Sequence, residues 1–414
     1  MNETRDWIKL DNAALIYPAI LNRKLAAMFR LTVTLTENID KVVLQEALKN
    51  VMNRFPTFNY TLKQGFFWCY FNKMNRLPKI DDDAQNPMVR SDFDKNFMFR
   101  IRVFRNRLAI EYFHALTDGT GGLTFILSLT AEYLRIKYKA RITYSPLILN
   151  PKDKPTEDEM SDSFLKFARG QGTLDHEKKA YHVKGKKEKL NILNIITGKM
   201  SVIELKKLAK KYNATITEFV AAMLLYSIKQ MTNTRKPIKV SIPINLRNIY
   251  ETSTLRNFSS YINVGINGKE DYTLPEIIKC IKTQLHTMSE EAKINAKVST
   301  NVNLMKNQII RRLPMFIKKP IMSLIEYKIG DGYITTTLSN LGLVNIPPSM
   351  KKYISDMNFI LGKSRRKSGS VTMISYGDNA YITFSRKIKE SDFERIFFTS
   401  LAKMGMDIEI ESNR

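Results

Sequence analysis

The chain has 414 residues, 43% of them hydrophobic, with 66 Lys and Arg against 40 Asp and Glu for a formal charge of +26. This length exceeds the ~100 to 200 residues usual for one domain and excludes a small stapled module, so two lobes are expected. A positive field of this size attracts nucleic acid, anionic membranes or phosphorylated cosubstrates without naming any of them.

The first lobe opens with Arg30 to Leu35 in strand-like alternation, after which Val43, Leu44, Ala47, Leu48 and Val51 fit an amphipathic helix capped near Asp40. Phe66 to Phe71 reads as a further strand. Asp81-Asp82-Asp83 reads as exposed loop, because no suitably spaced ligand partners follow it, and no metal is assigned. Phe99 to Phe113 reads as two strands joined at Asn106-Arg107, with Ile101, Val103, Leu108 and Ile110 apolar. Asp118-Gly119-Thr120-Gly121-Gly122 must then turn before Leu123 to Tyr138 takes up helical spacing. His114 therefore stands at a strand end, near a helix start.

Prolines, glycines and mixed charge mark Ser145 to Asn191 as the connector, and the lobes are set at residues 1–175 and 176–414. Beyond it come a strand at Leu190 to Ile196 and helices at Ser201 to Lys211 and Thr215 to Gln230. Lys239 to Ile244 and Ser259 to Ile266 alternate like strands, and helical segments dominate Leu274 to Met305. Short strand patterns follow at Tyr333 to Leu338, Asn358 to Leu361, Thr372 to Ser375 and Ala380 to Phe384, before a C-terminal helix that starts at Ser391-Asp392.

Cys69 and Cys280 supply neither a disulfide framework nor a cysteine-rich metal site, which favours a reducing compartment. The N-terminus lacks a basic segment leading into an apolar stretch, and no apolar run reaches transmembrane length, so the expected location is cytoplasmic, without transmembrane insertion. Lysines concentrate at Lys178 to Lys189, Lys318-Lys319 and Lys363 to Lys367, but no zinc finger, paired aromatic RNA signature or basic zipper accompanies them, and no specific nucleic acid is expected.

An ordinary imidazole titrates near ~6.5, so His114 can take a proton at neutral pH, while Asp118 can act as base, orienting group or structural partner. For His114 alone, a polar cap or a satisfied buried histidine is the competing reading. His176, His182 and His286 form no metal-ligand spacing with it and read as surface or packing residues. The glycines from Gly119 to Gly122 lack the spacing of a nucleotide-binding loop.

His-Ala-Leu-Thr-Asp-Gly at His114 to Gly119 resembles the HxxxDG motif of the coenzyme A-dependent acyltransferase superfamily. That superfamily includes chloramphenicol acetyltransferase, the condensation domains of peptide synthetases and the alcohol acetyltransferase-like proteins, and the last group is the most similar. Three further segments resemble it in order and spacing: Arg54-Phe55-Pro56 with Gly65-Phe66-Phe67-Trp68, Pro243 to Arg247 with Leu255-Arg256-Asn257-Phe258, and Ser339-Asn340-Leu341-Gly342. The chain departs from the pattern at Phe113, where many relatives carry a first histidine, and in lacking the Asp-Phe-Gly-Trp-Gly loop.

The resemblance implies an α/β fold of two chloramphenicol acetyltransferase-like lobes, a pseudo-dimeric sandwich with an interlobe tunnel. It implies His114 as general base and Asp118 as a structural carboxylate, with Arg247 its candidate partner and Gly119 permitting the turn. Asn257 is expected to matter first through architecture, while Ser339 and Asn340 either supply a polar contact or form a turn around Gly342. The activity implied is transfer of an acetyl or longer acyl group from acyl-CoA, a cosubstrate with no bound cofactor, to a small or lipid-like alcohol or amine. Two alternatives stand beside it: condensation-type transfer from a carrier-protein thioester, and nonenzymatic binding of polyanions by a basic protein.

Overall fold

The computed structural model describes residues 6–12, 14–17, 27–84, 87–88, 95–170, 172, 177–189, 192–306, 312–329, 331–364 and 367–414. His176 lies outside the described residues, as do Leu190 and Asn191 of the strand expected there.

The first sheet grows from alternation. In β2 (Met28–Leu35), Phe29, Leu31, Val33 and Leu35 join the hydrophobic core, while Arg30, Thr32 and Thr34 line a cleft. The helix α1 (Lys41–Arg54) begins where expected, because the Asp40 carboxylate accepts from the Val42 and Val43 N–H groups at 2.9 and 3.2 Å. The strands β6 (Phe99–Phe104) and β7 (Arg107–Phe113) pair antiparallel around Arg105-Asn106, a turn one residue earlier than expected. Arg105 takes the left-handed φ of 51°, and the Asn106 amide donates to the Leu35 carbonyl at 2.7 Å.

Three expectations change. The strand placed at Phe66 to Phe71 is β4 (Cys69–Lys73), paired with β3 (Tyr60–Gln64) and β1 (Trp7–Lys9). Gly65 N–H donates to the Trp68 carbonyl at 2.7 Å, so Phe66 to Trp68 form the tip of a hairpin rather than its arm. The acidic triplet is not wholly loop: Asp81 and Asp82 lie in β5 (Ile80–Asp82), and Asp83 forms a buried ion pair with Arg30. The helix expected from Leu123 begins four residues sooner, as α2 (Gly119–Tyr138).

That early start has a packing cause. A Cβ on Gly121 would lie 2.2 Å from Thr117 Oγ1 and 2.3 Å from the Leu255 carbonyl, so only glycine lets the helix start approach this loop. At Gly119 the same atom would meet only the Leu341 side chain, at 2.8 Å. Gly119 has no positive φ, and the constraint assigned to it belongs to Gly121. Gly121→Ala is expected to destabilise the protein by about 1–3 kcal/mol in urea unfolding, and Gly119→Ala by less.

The second sheet has the order β10-β9-β11-β13-β14-β8-β15, with β8 (Asn194–Ser201), β9 (Ile238–Asn245), β10 (Ser259–Ile266), β11 (Thr336–Leu343), β13 (Gly369–Tyr376), β14 (Asn379–Arg386) and β15 (Glu409–Ser412). Its core includes α3 (Val202–Lys211), α4 (Ile216–Gln230), α5 (Leu274–Met288) and α8 (Asp392–Lys403). The Thr215 capping box, reciprocal with Glu218, sets the start of α4.

A shared sheet and part of the connector help to join the halves. The strand β12 (Ile354–Leu361) pairs antiparallel with β2, Phe359 opposite Leu31, and completes the first sheet in the order β12-β2-β7-β6-β5. Residues 156–168 of the connector are structured and touch both halves. Glu159 pairs bidentately with Arg54 at 2.6 and 2.7 Å, and the Phe164 ring packs edge-on against Phe258 at 5.2 Å. Among the described residues no helix is long and apolar enough to cross a membrane.

Candidate active site

His114 is placed by the end of β7, where its N–H donates to the Ala27 carbonyl at 2.8 Å. Its neighbours Phe113, Ala115, Thr117 and Asp118 are buried, whereas His114 is half-buried. The ring is stacked on Tyr17 at 4.9 Å and 15°, and it meets Phe29 edge-on at 5.2 Å. Nδ1 lies 3.1 Å from Asn257 Oδ1. The Asn257 amide nitrogen points to the Ala115 carbonyl at 3.4 Å, which turns its oxygen to the imidazole. The network thus assigns the proton to Nδ1 and the lone pair to Nε2. Burial holds the imidazole below its ordinary range, against the opposing influence of the Asp118 charge and the Asn257 bond. A neutral ring with a free Nε2 lone pair can accept a proton.

Asp118 does different work. Its Oδ1 accepts from Gly121 N–H at 3.1 Å, capping α2, and its Oδ2 accepts from Phe258 N–H and from Arg247 Nη1, each at 2.8 Å. Arg247 also donates to the carbonyls of Thr254 and Arg256 at 2.8 and 2.6 Å. Thr117 adds a bond from its hydroxyl to the Leu255 carbonyl at 2.6 Å. The HxxxDG loop is thereby fastened to residues 254–258, and Asn257 is carried to His114 by the same segment. Arg247 is the arginine that pairs with Asp118.

Tyr17 and Phe29, which flank the imidazole, and Asp11, which pairs with Arg256 beside Asn257, were not singled out from the sequence. Asp11 is fully buried; its carboxylate accepts from Ala14 N–H at 2.6 Å and lies 3.3 Å from Arg256 Nε. Burial pushes it up to about 6, opposed chiefly by Arg256. Arg256, which pairs with Asp11, immediately precedes Asn257, whose Oδ1 faces His114 Nδ1. The Asp11 carboxylate bonds the N–H three residues on, a capping spacing.

No protein-family model matches this chain, and no curated protein matches it in sequence. Solved structures match it over almost its whole length. Polyketide synthase associated protein 5 from Mycobacterium tuberculosis is 14% identical, with a TM-score of 0.67 over 96% of this chain and 97% of that one. TRI101 of F. graminearum, complexed with coenzyme A and T-2 mycotoxin, is 10% identical, with a TM-score of 0.65 over 97% and 99%. A variant of the starter condensation domain of rhizomide synthetase RzmA, in complex with C8-CoA, is 10% identical, with a TM-score of 0.63 over 95% and 93%. The chain shares the fold of these acetyltransferase and condensation-domain structures.

Ser339 and Asn340 lie on β11 and make no hydrogen bond to His114 among the described residues. Asn340 Nδ2 donates to Thr217 Oγ1 at 3.0 Å, and its Oδ1 accepts from Gly342 N–H at 2.8 Å. With Gly342 at φ 72°, the Asn340–Gly342 bond sits at an irregularity in the pairing of β11 with β13. A cleft of about 880 Å³ opens between the two sheets, lined by Thr32, Thr34 and Asn358 on one side and Thr197, Lys199 and Tyr381 on the other. His114 is not among its lining residues.

Proposed function

We propose that this chain is an acyltransferase of the alcohol acetyltransferase-like kind, moving an acetyl or longer acyl group from acyl-CoA to a small or lipid-like alcohol or amine. The observation that carries the reading is the Asn257–His114 bond of 3.1 Å, which leaves Nε2 of a half-buried imidazole as a proton acceptor. His114 Nε2 takes the proton from the acceptor hydroxyl or amine as the heteroatom bonds to the thioester carbonyl carbon. The carbon–sulfur bond then breaks, and the imidazolium returns the proton to the departing thiolate of coenzyme A. No covalent bond to the protein forms, and the proton balance closes on His114. Asp118 is a positioning residue, since both its oxygens are engaged by Gly121, Phe258 and Arg247.

The reading is tested by a panel of acyl-CoA donors with pooled alcohol and amine acceptors and identification of the acylated product by mass. The pH dependence supplies a second check. Because burial lowers the His114 value, Nε2 stays unprotonated through neutral pH, and kcat/KM is expected to be flat above the ordinary imidazole range of ~6.5. The rate should fall only below that range. A decline centred well above it would remove His114 from the base role.

A further inference from the structure

We propose that the β3–β4 hairpin tip and the exposed side of the helix α7 (Met315–Ile329) form a docking surface for anionic lipid bilayers. Large aromatic side chains ordinarily fold inward, and contiguous exposed ones mark an interaction site. Phe66 and Phe316 are 65% and 66% exposed, and Phe67, Trp68, Ile321 and Leu324 are also exposed. They belong to one surface. Met315 N–H donates to the Phe66 carbonyl at 2.7 Å, and the Phe66 and Phe316 rings are 6.4 Å apart. Lys318 Nζ donates to the Phe67 carbonyl at 2.9 Å and lies 3.8 Å from the centre of the Trp68 ring.

Charge selects the occupant. In sequence, residues 60–73 and 312–329 carry Lys63, Lys73, Arg312, Lys318, Lys319 and Lys328 against Glu326 alone. A second copy of this chain would bring two cationic surfaces together, whereas an anionic bilayer complements the charge and accepts the rings. Aromatic rings seated at the headgroup level with lysines reaching the lipid phosphates form the usual interfacial arrangement. The hairpin also leads to the site: the Phe71 ring of β4 lies 5.8 Å from the Arg256 guanidinium, which pairs with Asp11. The proposal deepens the lipid-like acceptor of the acyl-transfer reading, and it places that acceptor's source in the membrane.

The test is cosedimentation of the full chain with vesicles of phosphatidylcholine alone or mixed with phosphatidylserine. The expected result is binding to the mixed vesicles, weakened at high salt, with a blue shift of Trp68 emission in a W7F background. F66S/F67S/F316S should weaken vesicle binding roughly tenfold or more, and K319E should weaken it less. These side chains are exposed, and unchanged thermal unfolding confirms that the variants fold. The proposal is overturned if the protein ignores both vesicle types or the triple variant binds as well as the native chain. Self-association without lipid that the triple variant abolishes also overturns it, in favour of a second copy. Binding is read without acyl-CoA, so a failure of acyl transfer leaves it standing. A failure of binding leaves acyl transfer to soluble acceptors untouched.

Discussion

Arg247→Ala is expected to destabilise the protein by about 3–5 kcal/mol, seen as a lower urea midpoint, because it strands a buried carboxylate. Both side chains are well buried, 11% and 5% exposed, so solvent cannot replace the lost partner cheaply. The guanidinium also serves the Thr254 and Arg256 carbonyls, which would be left short of donors. Asp118→Asn is isosteric but still costly. Oδ2 faces donors from Phe258 and Arg247, and Oδ1 faces the Gly121 N–H, so an amide nitrogen meets an N–H in either orientation. A loss of about 1–3 kcal/mol is expected. In a double-mutant cycle with both residues changed to alanine, the combined cost should fall short of the sum by about 0.5–3 kcal/mol. Strict additivity would show that the pair does not act as a unit.

His114→Ala is expected to lower acceptor-dependent turnover by about 10²–10⁴ while costing less than about 2 kcal/mol of stability. The separation of the two effects follows from geometry. The ring is half-buried and contributes its packing against Tyr17 and Phe29, whereas the loop around it is held by Asp118, Arg247 and Thr117. A variant that keeps its unfolding midpoint and its KM for acyl-CoA but loses kcat identifies a lost proton acceptor. Parallel loss of stability and turnover would instead assign the imidazole a role in building the loop.

Local signals were readable where local chemistry decides the structure. Asp40 ahead of a periodic apolar run marked the start of α1, and the strand-to-loop transition at Phe113 placed His114 at the end of β7. Gly121 and Gly122 hid the start of α2, since glycine in a helix costs about 1 kcal/mol relative to alanine and reads as a turn. Packing against Leu255 and Phe29 overrides that propensity. The partner of β12 was not legible, because Asn358 to Leu361 shows a strand pattern but nothing in its period specifies pairing with β2, some 320 residues away. Phe66 to Trp68 read as an arm of the strand for their aromatic content, yet they occupy its exposed tip. At the site, the short motifs named His114, Asp118, Arg247 and Asn257. Tyr17 reaches His114, and Asp11 reaches Arg256, only through tertiary contacts, and neither carries a periodic signature.

The measurement that tests the central claim most directly is the release of free coenzyme A from acyl-CoA as a function of acceptor concentration, in the native protein and in folded His114→Ala. The account predicts saturable, acceptor-dependent release in the native protein and its loss in the variant. Equal release from both proteins, or release in the native protein that ignores the acceptor, would contradict it.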